Sequence, residues 1–225
     1  MGSNTATRDN NSPTLVISRH RQERLEDSDT ASLLAATFNV SVLDIPFLYD
    51  LPADHPVIER LRFLPQPAYF LVPLSQRSVK NLLDYFQIPY TEVFETPDAV
   101  SFPERGASDS EWGSNALGSS KFSNGKLERF DEPLKPRWYP VIDDSKCNAC
   151  LECVNYCLFG VYAIDNNSRP FVDQPDACRD GCPACARVCP SQAIMFPLYE
   201  DRVIAGYEQG AADDLDNLID LVDQI

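Results

Sequence analysis

No cysteine precedes Cys147 in this chain of 225 residues. The long front part therefore offers neither a thiolate ligand nor a redox disulfide. No uninterrupted apolar run of about 18 residues occurs, so a membrane-spanning helix is not expected. Basic residues are scarce: 19 Lys and Arg face 34 Asp and Glu, giving a formal net charge of −15. A surface of that sign repels phosphate backbones, which argues against a nucleic-acid partner. Neither a GxGxxG fingerprint nor a P-loop pattern follows any strand-like run. The polar start, from Met1 through Arg8 to Asn11, has no apolar h-region. A secretory signal is not expected, and a cytoplasmic location is. Ala6 stands where a myristoylation signal has Ser or Thr.

Hydrophobic residues make up 44% of the chain, enough for a packed core. Residues 1–13 read as a disordered tail. Over residues 14–90 the apolar pattern alternates between strand-like and helix-like runs. Residues 14–18 read as a short buried strand. Asp29 or Thr30 caps a helix carrying Leu33, Leu34 and Phe38. Residues 40–48 form a β-branched run broken at Pro46, and His55-Pro56 opens a helix with Val57, Leu61 and Leu64 on one side. A further buried strand over residues 68–74 leads into a helix with Val79, Leu82, Leu83 and Phe86 on its inner face. The order βαβαβα implies an α/β domain built on a small parallel sheet. Arg19, His20 and Arg21 fall at a strand end, where parallel sheets bind ligands, and form a weak candidate anion site; the alternative is a basic loop balancing Glu23, Glu26 and Asp27, and Tyr49-Asp50 at the same edge is an equally weak ligand candidate.

Residues 91–137 are rich in Ser, Gly and Pro and read as a linker. Trp112, Phe94, Phe102, Phe122 and Phe130 are apolar groups that could pin it to a surface. Residues 200–225 form an acidic tail, with a helix over residues 213–225 carrying Leu215, Leu218, Ile219, Val222 and Ile225 on one face.

All eight cysteines lie between Cys147 and Cys189. The first group is Cys147, Cys150, Cys153 and Cys157; the second is Cys178, Cys182, Cys185 and Cys189. With no export signal, a disulfide framework is not expected, and crowded thiols in a reducing compartment point to metal or redox chemistry. The flanking pattern repeats as strand, cysteine loop, short helix, strand. The second half carries one extra residue between its first two cysteines. Tyr156 and Phe159, beside the last cysteine of the first group, read as ordinary core of a small domain. A tight loop with three closely spaced cysteines can reach three irons of a cubane, leaving the fourth iron to a cysteine from elsewhere. Two four-thiolate zinc sites are an alternative, although those usually come as separated CxxC pairs. The spacing Cys178-x3-Cys182-x2-Cys185 also matches a radical-SAM motif, but too little chain follows it for a barrel.

Over about residues 138–197 the chain resembles the bacterial-type two-cluster ferredoxin family. The resemblance uses all eight cysteines and Pro190, which follows Cys189. It implies an α+β ferredoxin-like domain at residues 138–199 with internal pseudo-two-fold symmetry and two [4Fe–4S] clusters. Carried over residue by residue, it implies one cluster on Cys147, Cys150, Cys153 and Cys189. The second falls to Cys157, Cys178, Cys182 and Cys185. Leu158 departs from the family's Pro, and Gly181 sits in the lengthened loop, so the two sites are expected to differ. The implied function is single-electron transfer to or from a redox protein partner; the chain's net acidity suggests a basic docking surface on that partner. No residue set suggests bond-making chemistry. The alternatives are an iron–sulfur subunit of a larger oxidoreductase, whose front domain binds a substrate, cofactor or partner, and clusters that serve only as scaffolds.

Overall fold

The computed structural model describes residues 13–21, 31–32, 35, 40–96, 126–130, 132 and 134–207. The front part is a mixed α/β unit built on a five-stranded parallel sheet. Its strands are β1 (Thr14–Ser18), β2 (Ser41–Ile45), β3 (Ala68–Val72), β4 (Glu92–Glu95) and β5 (Leu127–Arg129), in the order β4-β3-β1-β2-β5. β1 is central, with Val16 opposite Leu43 on one side and Phe70 on the other.

Successive side chains on a strand point to opposite faces. Val16, Leu43, Ile45, Phe70 and Val72 enter one core, while Leu15, Ile17, Val42 and Leu71 enter another. Both faces are thus covered, which explains the near-continuous apolar runs of β1 and β3. The first face packs on helix α1 (Pro56–Arg62) and helix α2 (Gln76–Phe86). Each helix has a physical start signal. The His55 imidazole Nδ1 accepts the Val57 N–H at 3.2 Å, with Pro56 next in the chain, and Ser75 Oγ accepts the Ser78 N–H. α2 ends at Gln87, whose left-handed φ of 57° lets its N–H close on the last turn. On the second face Ala31 and Ala35 are helical and buried. The expected cap at Asp29 or Thr30, and Leu33, Leu34 and Phe38, lie outside the described residues, as do residues 1–12 and the expected helix over residues 213–225.

The sheet has two more strands than the sequence suggested, and both come from the segment read as linker. β4 pairs with β3, and β5 with β2. Strands of three or four residues at a sheet edge carry too little alternation to show a period. Phe94 and Phe130 do pack against the two cores. Trp112, Phe102 and Phe122 lie outside the described residues.

The cysteine-rich part follows without a break in the packing. It runs β6 (Val141–Ile142), α3 (Glu152–Tyr156), β7 (Tyr162–Ile164), then β8 (Pro170–Val172), α4 (Ala184–Val188), β9 (Ile194–Met195). β6 pairs antiparallel with β9, and β7 with β8. Tyr139, Val141 and Met195 belong to the same core as α1 and α2. Tyr139 stacks on Tyr49 with ring centroids 4.4 Å apart, and its hydroxyl donates to the Tyr49 carbonyl at 2.9 Å. The Ser75 and Ser78 hydroxyls both donate to the Ala205 carbonyl, at 3.0 and 2.8 Å. Among the described residues, no helix is long and apolar enough to cross a membrane.

Candidate metal centre

The first cysteine loop is launched by Asp143. Its carboxylate accepts the Ser145 N–H at 3.0 Å and the Ser145 hydroxyl at 2.6 Å, and its carbonyl accepts the Cys147 N–H at 3.0 Å. Ala149 and Leu151 then take left-handed φ values of 57° and 63°, uncommon for residues with a Cβ. These turns wind the loop tightly between its cysteines. The Arg169 guanidinium holds the outside of the loop through the Asp144 and Cys147 carbonyls at 2.8 and 3.2 Å. In the second loop the inserted Gly181 takes the left-handed turn, with φ 71°. A Cβ there would meet nothing within 4 Å, so its constraint is the backbone alone. Trp138 braces this loop by donating its indole N–H to the Cys182 carbonyl at 3.3 Å while stacking on Phe196.

The eight cysteines line two separate cavities. Cys147, Cys150, Cys153 and Cys189 surround the first, with Ile142, Pro170 and Ile194 as apolar walls. Cys157, Cys178, Cys182 and Cys185 surround the second, beside Val161, Tyr162 and Gly181. Each ring thus takes three cysteines from one loop and the fourth from the other half of the repeat. The two spaces are unequal: about 10 Å³ in the first ring and about 410 Å³ in the second.

The donor set has a clear electrostatic character. Burial pushes the Cys153 and Cys178 thiols up to about 12, and neighbouring cysteine sulfurs add to the rise. Burial likewise raises Cys185, to about 11. Sulfurs this crowded cannot all ionise alone; thiolates in these rings need cationic charge among them. The Cys185 sulfur of the second ring is among the charges raising Cys153 of the first, so the rings are electrostatic neighbours. Among the described residues, no three His, Cys, Asp or Glu side chains converge closely enough to hold a single metal ion. A cubane asks for a different arrangement, with four thiolates around a space, each serving its own iron. Four cysteines around each cavity fit that requirement in donor type and number.

Relatives exist for about a quarter of the chain. A stretch of 61 residues, 27% of this chain, is 39% identical to an uncharacterized ferredoxin of Methanocaldococcus jannaschii, covering 41% of that protein. A stretch of the same length is 38% identical to an archaeal-type glutamate synthase (NADPH) of Thermotoga maritima, covering 12% of it. A third similarity, 42% identity over 59 residues or 26% of this chain, is to an indolepyruvate oxidoreductase subunit of Methanothermobacter marburgensis, covering 9% of it. The chain therefore spans well under half the length of these curated relatives. No family model matches the chain.

The weak anion site at the sheet edge is not assembled. Arg19 is buried, paired with Asp44 at 3.1 Å and donating to the Ile45 carbonyl. Arg21 is clasped to Asp50 and donates to the Arg137 carbonyl at 2.9 Å. The His20 ring lies 6.3 Å from that of Phe47. These groups, with Tyr49, join the α/β unit to residues 137–139. Tyr156 and Phe159, expected in the core, are 56% and 42% exposed, and Leu158 between them is 91% exposed. All three line the second cavity.

Two contributors to the site went unread in the sequence. Arg77 on α2 donates to the Asp143 carboxylate and to the Gln192 carbonyl, both at 2.7 Å, and so ties the α/β unit to both halves of the repeat. No sequence signal links residues so far apart. Tyr162 brings a phenol into a wall of the second ring. Its signal was available: Ile194 holds the matching place in the other half.

Proposed function

We propose that this chain is an iron–sulfur electron-transfer protein working as a redox component of a larger oxidoreductase. Cys147, Cys150, Cys153 and Cys189 would hold one [4Fe–4S] cluster, and Cys157, Cys178, Cys182 and Cys185 a second. The reading is supported by the division of eight cysteines into two rings of four, each drawing on both halves of the repeat. Similarity to a ferredoxin and to segments of two oxidoreductases supports it independently.

A [4Fe–4S] cluster supplies a one-electron couple, with a potential set by net charge, hydrogen bonds to sulfur and exposure. The chain's part is to space, insulate and orient. Ile142, Pro170 and Ile194 give the first ring an apolar side, while its Cys150 is exposed. The second ring lies beside the exposed Tyr156, Leu158 and Phe159, an apolar surface through which a partner could approach it. Exposed Glu152, Asp176 and Asp180 lie in the same cysteine-rich part. A basic, apolar-centred surface on a cytoplasmic redox protein complements them.

A specific observation favours a subunit with a bound small molecule over a freely diffusing carrier. A cleft of about 710 Å³ lies between α2 and the cysteine-rich part, lined by Lys80, Tyr85, Phe171 and Arg202 among others. Its size is ordinary for a ligand site.

Anaerobic reconstitution with iron and sulfide tests the proposal. About eight of each per chain are expected, with two reversible one-electron couples in film voltammetry. A colourless protein carrying zinc, or loaded clusters with no reversible couple, would overturn it.

A further inference from the structure

The second ring contains a polar group that its packing does not require. Tyr162 opens β7 with 9% of its surface exposed, inside a cluster of Cys153, Val161, Val172, Cys185, Ala186, Ile194 and Phe196. Its hydroxyl is buried and has no hydrogen-bond partner. A buried hydroxyl in that state costs stability, and a phenylalanine of the same outline would avoid the cost. The matching place in the other half is Ile194, first residue of β9, which walls the first ring with hydrocarbon alone. At this place the second ring carries a phenol where the first has hydrocarbon.

The phenol also has a direction. It lines the second cavity with all four cysteines of that ring and shares one buried cluster with Cys185. A hydroxyl left unpartnered in the wall of a thiol-lined space is placed to donate to a sulfur once that space is filled.

We infer that Tyr162 is a positioning residue whose hydroxyl donates a hydrogen bond to the Cys185 sulfur of the loaded second ring, raising that site's reduction potential. The inference rests on the iron–sulfur reading given above. A donor facing a thiolate sulfur withdraws charge from it and favours the more negative, reduced state. One electron enters the ring on reduction, and the phenol keeps its proton.

The test uses the full chain, reconstituted anaerobically, with iron and sulfide counted before any potential is measured. Tyr162→Phe is followed by redox titration with EPR detection. One of the two couples should fall, changing its oxidised-to-reduced ratio at fixed potential about tenfold, or about 59 mV for a one-electron couple. The other couple should not move. Replacing Tyr162 by 3,5-difluorotyrosine strengthens the donor without changing the fold and should move the same couple upward. That second variant decides the matter if Tyr162→Phe fails to load its ring. If neither variant shifts a couple, or both couples shift together, the inference is overturned. A wild-type chain with iron for fewer than two cubanes would instead defeat the iron–sulfur reading, so the two failures are distinct.

Discussion

Replacing Arg77 by Met should loosen the first cysteine loop from the α/β unit and cost about 3 kcal/mol, at the low end for breaking a buried ion pair. Arg77 and Asp143 meet at 2.7 Å, with side chains only 12% and 6% exposed. Removing the guanidinium leaves a buried carboxylate with the Ser145 and Lys146 donors but no countercharge. These remaining hydrogen bonds keep the cost from the upper end. With a urea m-value of about 2 kcal/mol/M, the unfolding midpoint should drop by roughly 1.5 M. A double-mutant cycle with Asp143→Asn should give a coupling of about 2 kcal/mol. The pH dependence gives a second check. Burial pushes the Asp143 carboxyl up, but hydrogen bonds from Ser145 and Arg77 outweigh it and hold the group below its usual range. A carboxylate lowered in this way stabilises the fold above its unfolded value, about 3.9, and loses that contribution as pH falls through the lower folded value. The gap between wild type and Arg77→Met should therefore be widest near neutrality and close in acid below about pH 4. A gap that stays constant with pH, or a coupling under about 0.5 kcal/mol, would refute the reasoning.

Three further outcomes are expected. Gly206→Ala should destabilise by about 2 kcal/mol, since φ is 97° and a Cβ would lie 2.4 Å from Ser78 Oγ and 2.7 Å from Ser75 Oγ; an unchanged melting temperature would count against the serine clasp on Ala205. The metal-free chain should lose stability in alkali, between the usual thiol value and the raised values of Cys153 and Cys178, about 12. Above the usual value the unfolded thiols release protons that the buried ones keep, which favours unfolding. Denaturant titrations on either side of that value check it, and equal midpoints would refute it. Leu158→Lys, at a side chain 91% exposed, should change stability by less than about 0.5 kcal/mol and leave the iron content intact. Loss of iron there would mean that Leu158 shapes the ring rather than its approach.

The three inner strands and both helices of the α/β unit were legible because each carries a long apolar period or a capping residue. His55-Pro56 announced α1, and the spacing of Val79, Leu82, Leu83 and Phe86 announced α2. β4 and β5 were not legible, because a strand such as Leu127–Arg129 owes its place to the ladder with Val42, Leu43 and Asp44 rather than to a pattern of its own. At the site, the cysteine spacing pointed to two sets of four. What it could not give was the frame around them. Arg19 and Arg21 looked like an open anion site because sequence shows charges but not the carboxylates that meet them, Asp44 and Asp50. Tyr156 and Phe159 looked like core because aromatic residues usually are, and the chain instead leaves them at the mouth of the second ring.

Tyr139, Val141 and Met195 lie in the core of the α/β unit, so among the described residues the two parts share one core. Whatever binds in the rings lends its binding energy to the whole fold by mass action. In a cell the two parts would share one lifetime. Emptying the rings would expose the parallel sheet to proteases along with the cysteine loops. On the iron–sulfur proposal, the abundance of the α/β unit would then follow iron supply, although it contains no metal ligand among its described residues. A cell could thus clear an uncharged copy as a unit, without a separate sensor to recognise it.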